Sequence, residues 1–164
     1  MSAEKLITSL EKLIKLHKSL NELAVRKTEV VKVGDMEGLN SLLNDEQKHV
    51  KAIELIENER EKQVAEYMKE RGYEQDSYTL LECIEVAPKD LKDKLISLRE
   101  QLIEELFILK NRNQLNQQLI YQSLQFVNVT LDMLRPQEQA YNYEKPNHTL
   151  NANKPGKSMF DSKA

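Results

Sequence analysis

The chain holds a single cysteine, Cys83, no tryptophan, three phenylalanines, and only four glycines and four prolines among 164 residues. One cysteine excludes an intrachain disulfide and fits a reducing compartment, with Cys83 read as a small buried hydrophobe. Scarce glycine and aromatics argue against a sheet sandwich or a nucleotide-binding sheet with glycine-bearing turns. No apolar run approaches the roughly 18 residues of a membrane span. The opening MSAEKLITSLEKL mixes charged and apolar residues where a secretory signal would have an apolar core, so a cytoplasmic protein without membrane insertion is expected. The formal net charge is -3, from 24 basic and 27 acidic groups, and no basic patch is concentrated for nucleic acid.

Groups for catalysis are equally sparse. His17, His49 and His148 are far apart, and there is no CxxC, no HExxH and no glycine-rich phosphate loop ahead of a helix. His17 and His49 can approach across a hairpin, but without a third ligand they read as ordinary helix-face residues. Glu57, Glu59 and Glu61 point in different directions on a helix, and Glu104 and Glu105 lack the repeated Glu-x-x-His of a diiron bundle. The expectation is a protein that is not an enzyme and needs no cofactor or metal.

What the chain does have is aliphatic periodicity. Leu6, Leu10, Leu13, Leu20 and Ala24 recur at three- and four-residue steps with His17 in the same seam, predicting a helix over about 3–33. Glu11 with Lys15 and Glu22 with Arg26 have the favourable i,i+4 order for a solvated face. Gly34 can close that helix in the left-handed conformation, and Asp35 can cap the next. A second helix is predicted over about 36–71, with Leu39, Leu42, Leu43, Val50, Ile53, Ile56 or Glu57, Val64 and Met68 inward, forming an antiparallel hairpin with the first. Gly38, early in that helix, could admit the close passage of another chain.

Gly72 ends the second helix, Asp76 or Ser77 can start a short one through TLLECI, and Pro88 suits the opening turn of a long third helix over about 88–135. Its seam runs through Leu91, Leu95, Leu98, Leu102, Leu106, Leu109, Leu119, Leu124, Val127, Leu131 and Leu134. At 1.5 Å per residue this helix reaches about 70 Å against about 46 Å for the first. It must therefore overhang or bend unless something covers it. The fold class is all-α: a hairpin packed with a third long helix, a short connector helix, and a mobile C-terminal tail. One helical domain over 1–135 and a flexible tail over 136–164 are expected, because QEQAYNYEKPNHTLNANKPGKSMFDSKA offers little apolar burial to offset ordering.

The segment from Asn111 to Leu134, NRNQLNQQLIYQSLQFVNVTLDML, is the most informative. Between Arg112 and Asp132 it carries no charge, and amides such as Asn113, Asn116, Gln117 and Gln125 alternate with Leu119, Ile120, Leu124, Phe126 and Val127. Its apolar residues cover more than one stripe. Part can pack on the hairpin while Ile120, Tyr121 or Phe126 remains available to another chain, and amides can bond in both directions without burying a net charge. Alternatively, Asn113 and Asn116 fix register inside the protein's own bundle. A further reading is a coiled-coil structural or adaptor protein that self-associates through this helix; the oligomeric state is left open.

VGDMEGLNSLLNDEQKHVKAI at 33–53, the long third helix and the amide-rich segment, in that order, resemble the FlgN family of flagellar export chaperones. The resemblance implies a small helical cytoplasmic chaperone that binds the C-terminal helical regions of hook-filament junction (hook-associated) proteins. It would prevent their premature assembly and deliver them to the flagellar type III export gate. On this resemblance the substrate-binding surface falls on Asn113, Asn116, Leu119, Ile120, Ser123, Leu124, Phe126, Val127, Leu131 and Leu134. Tyr141, Tyr143 and Phe160 in the tail are candidates for contact with the export gate. Gly34, Asp35, Leu39, Leu42, Leu43 and Glu46 match the hairpin motif and are expected to maintain the scaffold.

Overall fold

A computed structural model describes residues 2–135, and these fold as four helices: α1 (Ser2–Val33), α2 (Met36–Lys69), α3 (Leu80–Val86) and α4 (Lys89–Leu134). Among the described residues there is no strand, so the all-α expectation holds. Tyr141, Tyr143, Phe160 and the expected tail lie outside the described residues.

The α1–α2 turn follows from two adjacent residues. Gly34 takes φ 72°, its amide donates to the Val31 carbonyl at 3.2 Å, and the Asp35 amide donates to Val30 at 3.0 Å. This pair of bonds satisfies the last carbonyls of α1 in a Schellman closure. Asp35 then caps α2, accepting from the Gly38 amide at 2.9 Å. A Cβ on Gly38 would stand 2.3 Å from the Asp35 carboxylate, so this glycine makes room for its own cap and not for a second chain. Gly34→Ala forces an alanine into the left-handed region and is expected to lower unfolding free energy by about 1 kcal/mol, readable in a urea titration.

Gly72, φ 82°, closes α2 by the same device, with its amide on Lys69 and that of Tyr73 on Met68. The connector helix starts later than expected from Asp76 or Ser77. Its N-cap is Thr79, in a reciprocal box with Glu82: the Glu82 amide donates to Thr79 Oγ1 at 3.2 Å, and the Thr79 amide to Glu82 Oε2 at 2.6 Å. Those Thr79 bonds hold the Glu82 carboxyl below its ordinary pKa. Pro88 sits just outside α4 as its N-cap.

α1 lies in the middle. It packs along both α2 and α4, whose backbones do not approach one another, and α3 bridges α2 and α4 at one end. Cross-links from α1 to α4 ascend together: Glu11 to Lys94 at 3.2 Å, Asn21 to Glu105, Thr28 to Asn116. The two helices therefore run parallel, while the α1–α2 hairpin is antiparallel. Glu11 thus reaches across to α4, where the sequence suggested Lys15.

The core is uneven. Leu6, Leu10 and Ile14 of α1, Val64, Tyr67 and Met68 of α2, Cys83, Ile84 and Ala87 around α3, and Leu95 and Leu98 of α4 form one buried cluster. Toward the hairpin turn only Leu20, Leu23 and Leu42 form a second. Cys83 is fully buried and desolvation pushes its thiol up to about 11, which makes it packing and not chemistry. Tyr67 is also fully buried, with the Arg71 guanidinium 3.5 Å over its ring and a hydroxyl that has no hydrogen-bond partner. Tyr67→Phe removes that unpaired group without emptying the site. It is expected to leave Tm unchanged or raise it, where a paired hydroxyl would cost about 1 kcal/mol.

Candidate functional site

The α1–α4 pairing sets where the long helix loses its support. Since Thr28 meets Asn116 and α1 ends at Val33, α4 outruns its neighbour near Tyr121. From there to Leu134 it projects for about 20 Å. This is the overhang that the difference in helix lengths implied.

Asn116 anchors the last supported turn. It is 2% exposed, accepts from Thr28 Oγ1 at 2.6 Å and donates to the Ala24 carbonyl at 2.9 Å. Both ends of its amide are used inside the protein, so Asn116 fixes the register of α4 on α1 and offers nothing to a partner. Of the two readings of the buried amides, the internal one applies here. Asn21 plays a related part, donating to the Glu105 carbonyl and carboxylate at 3.1 and 2.7 Å. Asn113, by contrast, is exposed and lines a cleft of about 210 Å³ with Gln117, Ile120, Leu109, Leu20 and, from α2, Val50.

The remaining candidates separate along the helix. Leu119 and Ile120 are half-buried at the edge of the support. Beyond them Ser123, Leu124, Phe126, Val127, Leu131 and Leu134 are all exposed, Leu124 at 57% and Phe126 at 74%. The inward seam expected at Leu124, Val127, Leu131 and Leu134 thus has no partner within the described residues, because α1 has already ended. Polar side chains here mostly bond their own helix: Ser123 Oγ donates to the Leu119 carbonyl at 2.9 Å and Thr130 Oγ1 to Phe126 at 2.8 Å. Those bonds leave the hydroxyls occupied and the apolar side chains to define the surface. Tyr121 is exposed as expected, and Val129 and Met133, exposed on the same stretch, extend it beyond the residues singled out from sequence.

On α2 the expected inner face is only partly buried. Leu42, Val64 and Met68 are buried and Leu39, Ile53 and Ile56 half-buried, but Leu43 and Val50 stand exposed at 37% and 54%. Val50 faces α4 across a cleft that would be closed if α2 and α4 met, and they do not. Glu46 is tied to Lys27 of α1 at 2.9 Å, mostly shielded from solvent, and holds the hairpin together as expected for a scaffold residue.

The histidines are committed to local bonds. His17 Nδ1 donates to the Leu13 carbonyl at 2.8 Å. His49 Nδ1 donates to Asp45 at 2.8 Å, so its Nε2 accepts from the Ser19 hydroxyl at 2.7 Å. Among the described residues no group of three or more His, Cys, Asp or Glu side chains could hold a metal ion, and no helix is long and apolar enough to cross a membrane.

The family model described as FlgN protein matches residues 1–149. The uncharacterized protein YvyG of Bacillus subtilis (strain 168) is 36% identical over 167 residues, with 100% of each chain covered. No solved structure matches. The chain, with its central helix, its Schellman-closed hairpin and a long helix whose distal end outruns α1, is a member of the FlgN family of flagellar export chaperones.

Proposed function

We propose that the chain binds the C-terminal helical regions of hook-associated proteins through the distal part of α4, keeps those regions from assembling early, and hands them to the flagellar export apparatus. The observation that carries this reading is the exposure of Leu124, Phe126, Leu131 and Leu134 on the distal part of α4, against which nothing packs among the described residues. A row of large apolar side chains left in water is unfavourable by roughly 1.5–3 kcal/mol each relative to full burial, and another amphipathic helix is the natural cover. The binding residues are then Leu119, Ile120, Ser123, Leu124, Phe126, Val127, Leu131 and Leu134, with Asn113 at the edge and Asn116 reassigned to the scaffold.

The mechanism is noncatalytic. The partner's apolar face is hidden while it is bound, and competing contacts at the export gate, or unfolding of the partner, release it in the cytoplasm. Residues 136–164, with Tyr141, Tyr143 and Phe160, are proposed to reach the gate. Calorimetry of the full chain with the purified C-terminal region of a hook-associated protein tests the reading; micromolar or tighter 1:1 binding supports it. Absence of heat at tens of micromolar with every such region overturns it. A tight homodimer in sedimentation that occupies the distal part of α4 and excludes those regions would favour self-association instead.

A further inference from the structure

The same clefted face raises a narrower question: how far a partner helix extends along the protein. We infer that the bound helix does not rest on the α4 overhang alone but continues between α2 and α4 until it abuts α3. This rests on the reading of the distal part of α4 as the binding surface, and it specifies where the rest of the partner lies.

Three features support it. First, α2 and α4 flank α1 without meeting, and the one element that fills the gap between them is itself a helix, α3. Its residues Cys83 and Ile84 complete the main core together with Val64 of α2 and Leu95 of α4. The gap therefore takes a helix where one is supplied. Second, it continues past α3 as two clefts: one of about 580 Å³ at the α3 end, with Leu80, Leu102 and Leu10 among its walls, and the 210 Å³ cleft nearer the hairpin turn. The second is bounded by Ile120, which leads directly onto exposed Leu124 of the overhang. One helical turn separates Ile120 from Leu124, so the inferred track passes from cleft to overhang there.

Third, the charge of the walls specifies the occupant. In the cleft near the hairpin the two charged side chains, Lys27 and Glu46, neutralise each other at 2.9 Å, and Asn113 and Gln117 supply uncharged amides. An inserted helix there should be apolar with Asn, Gln, Ser or Thr at its flanks, since a charge would be desolvated without a free counter-ion. The α3 end carries Glu57, Arg60, Glu61 and Lys62, suited to a helix terminus emerging into solvent. From Leu102 to Leu131 the track measures about 40 Å, on the order of 25–30 residues of partner helix.

Val50 tests this, because it lies on α2 and contributes to the cleft but not to the overhang. Val50→Asp is expected to weaken calorimetric binding of a hook-associated C-terminal region at least tenfold. Leu55→Asp, on a still more exposed α2 residue outside both clefts, should bind as the unmodified chain does. Thermal unfolding of both variants checks that the fold is kept. A benzophenone side chain placed at position 50 supplies a second readout and should cross-link to the bound region. Unchanged affinity in Val50→Asp together with no cross-link overturns the inference, while a loss of binding in Leu124→Asp would still uphold the α4 surface. Failure of the unmodified chain to bind any such region removes the underlying reading instead. A Val50 cross-link only to a second copy of this chain overturns it as well.

Discussion

Leu124→Asp is expected to reduce affinity for a hook-associated C-terminal region by about 30-fold or more while leaving helix content and Tm unchanged. Leu124 is 57% exposed and has lost the support of α1, so an aspartate there meets water in the free protein and costs folding no more than about 0.5 kcal/mol. In the complex the same carboxylate would sit under an apolar helix with no cation in reach, and losing a central apolar contact of that kind costs about 2 kcal/mol or more. Phe126→Asp should behave alike. Leu55→Asp, equally apolar and exposed but on the outer side of α2, separates the effect of position from that of surface hydrophobicity. Calorimetry and circular dichroism on the three variants read both quantities; equal losses at Leu55 and Leu124 would indicate nonspecific stickiness.

The opposite behaviour is expected from Leu10→Ala. Leu10 is fully buried in the cluster that joins α1, α2, α3 and α4, and its truncation leaves a cavity within that cluster that rigid helices cannot collapse. Stability should fall by about 3 kcal/mol, or roughly 10 °C in Tm. At temperatures where the variant remains folded, its partner affinity should stay within about twofold of the unmodified chain, because Leu10, although it backs the cleft at the α3 end, is fully buried and presents no surface to a partner. Denaturant titration and calorimetry at 15 °C measure the two. A variant that loses affinity while fully folded would mean that the two ends of α4 are coupled.

These two residues also mark what the sequence could and could not reveal. Leu10 lies on a single clean stripe, and the first helix, its glycine closure and the antiparallel hairpin were legible from that stripe and from Gly34 and Asp35. The connector helix was legible only approximately. Its capping box was present as Thr79 followed by Glu82, but the competing Asp76 and Ser77 obscured it. Along α4 the apolar residues surround the helix, so periodicity could not say which of them turn inward. Asn116 looked like its neighbouring amides, and only the position of Thr28 and the Ala24 carbonyl on α1 makes it a buried register pin. Val50 was misread for a related reason: its spacing is that of an inner-face residue, but the helix that would cover it stays away. Where α1 stops relative to α4 is a property of packing, and the end of the seam could not be seen before the helices were assembled.

Hydrogen exchange across α4, with and without a hook-associated C-terminal region, tests the central claim most directly. Amides in a helix that lacks tertiary packing open locally at little cost, whereas those in the core need much larger openings. The account predicts rapid exchange from Tyr121 to Leu134 in the free chain, slow exchange around Leu95 and Leu98, and strong protection of the distal stretch once the partner is bound. Distal amides as protected as the core in the free monomer, or unchanged by saturating partner, would contradict it.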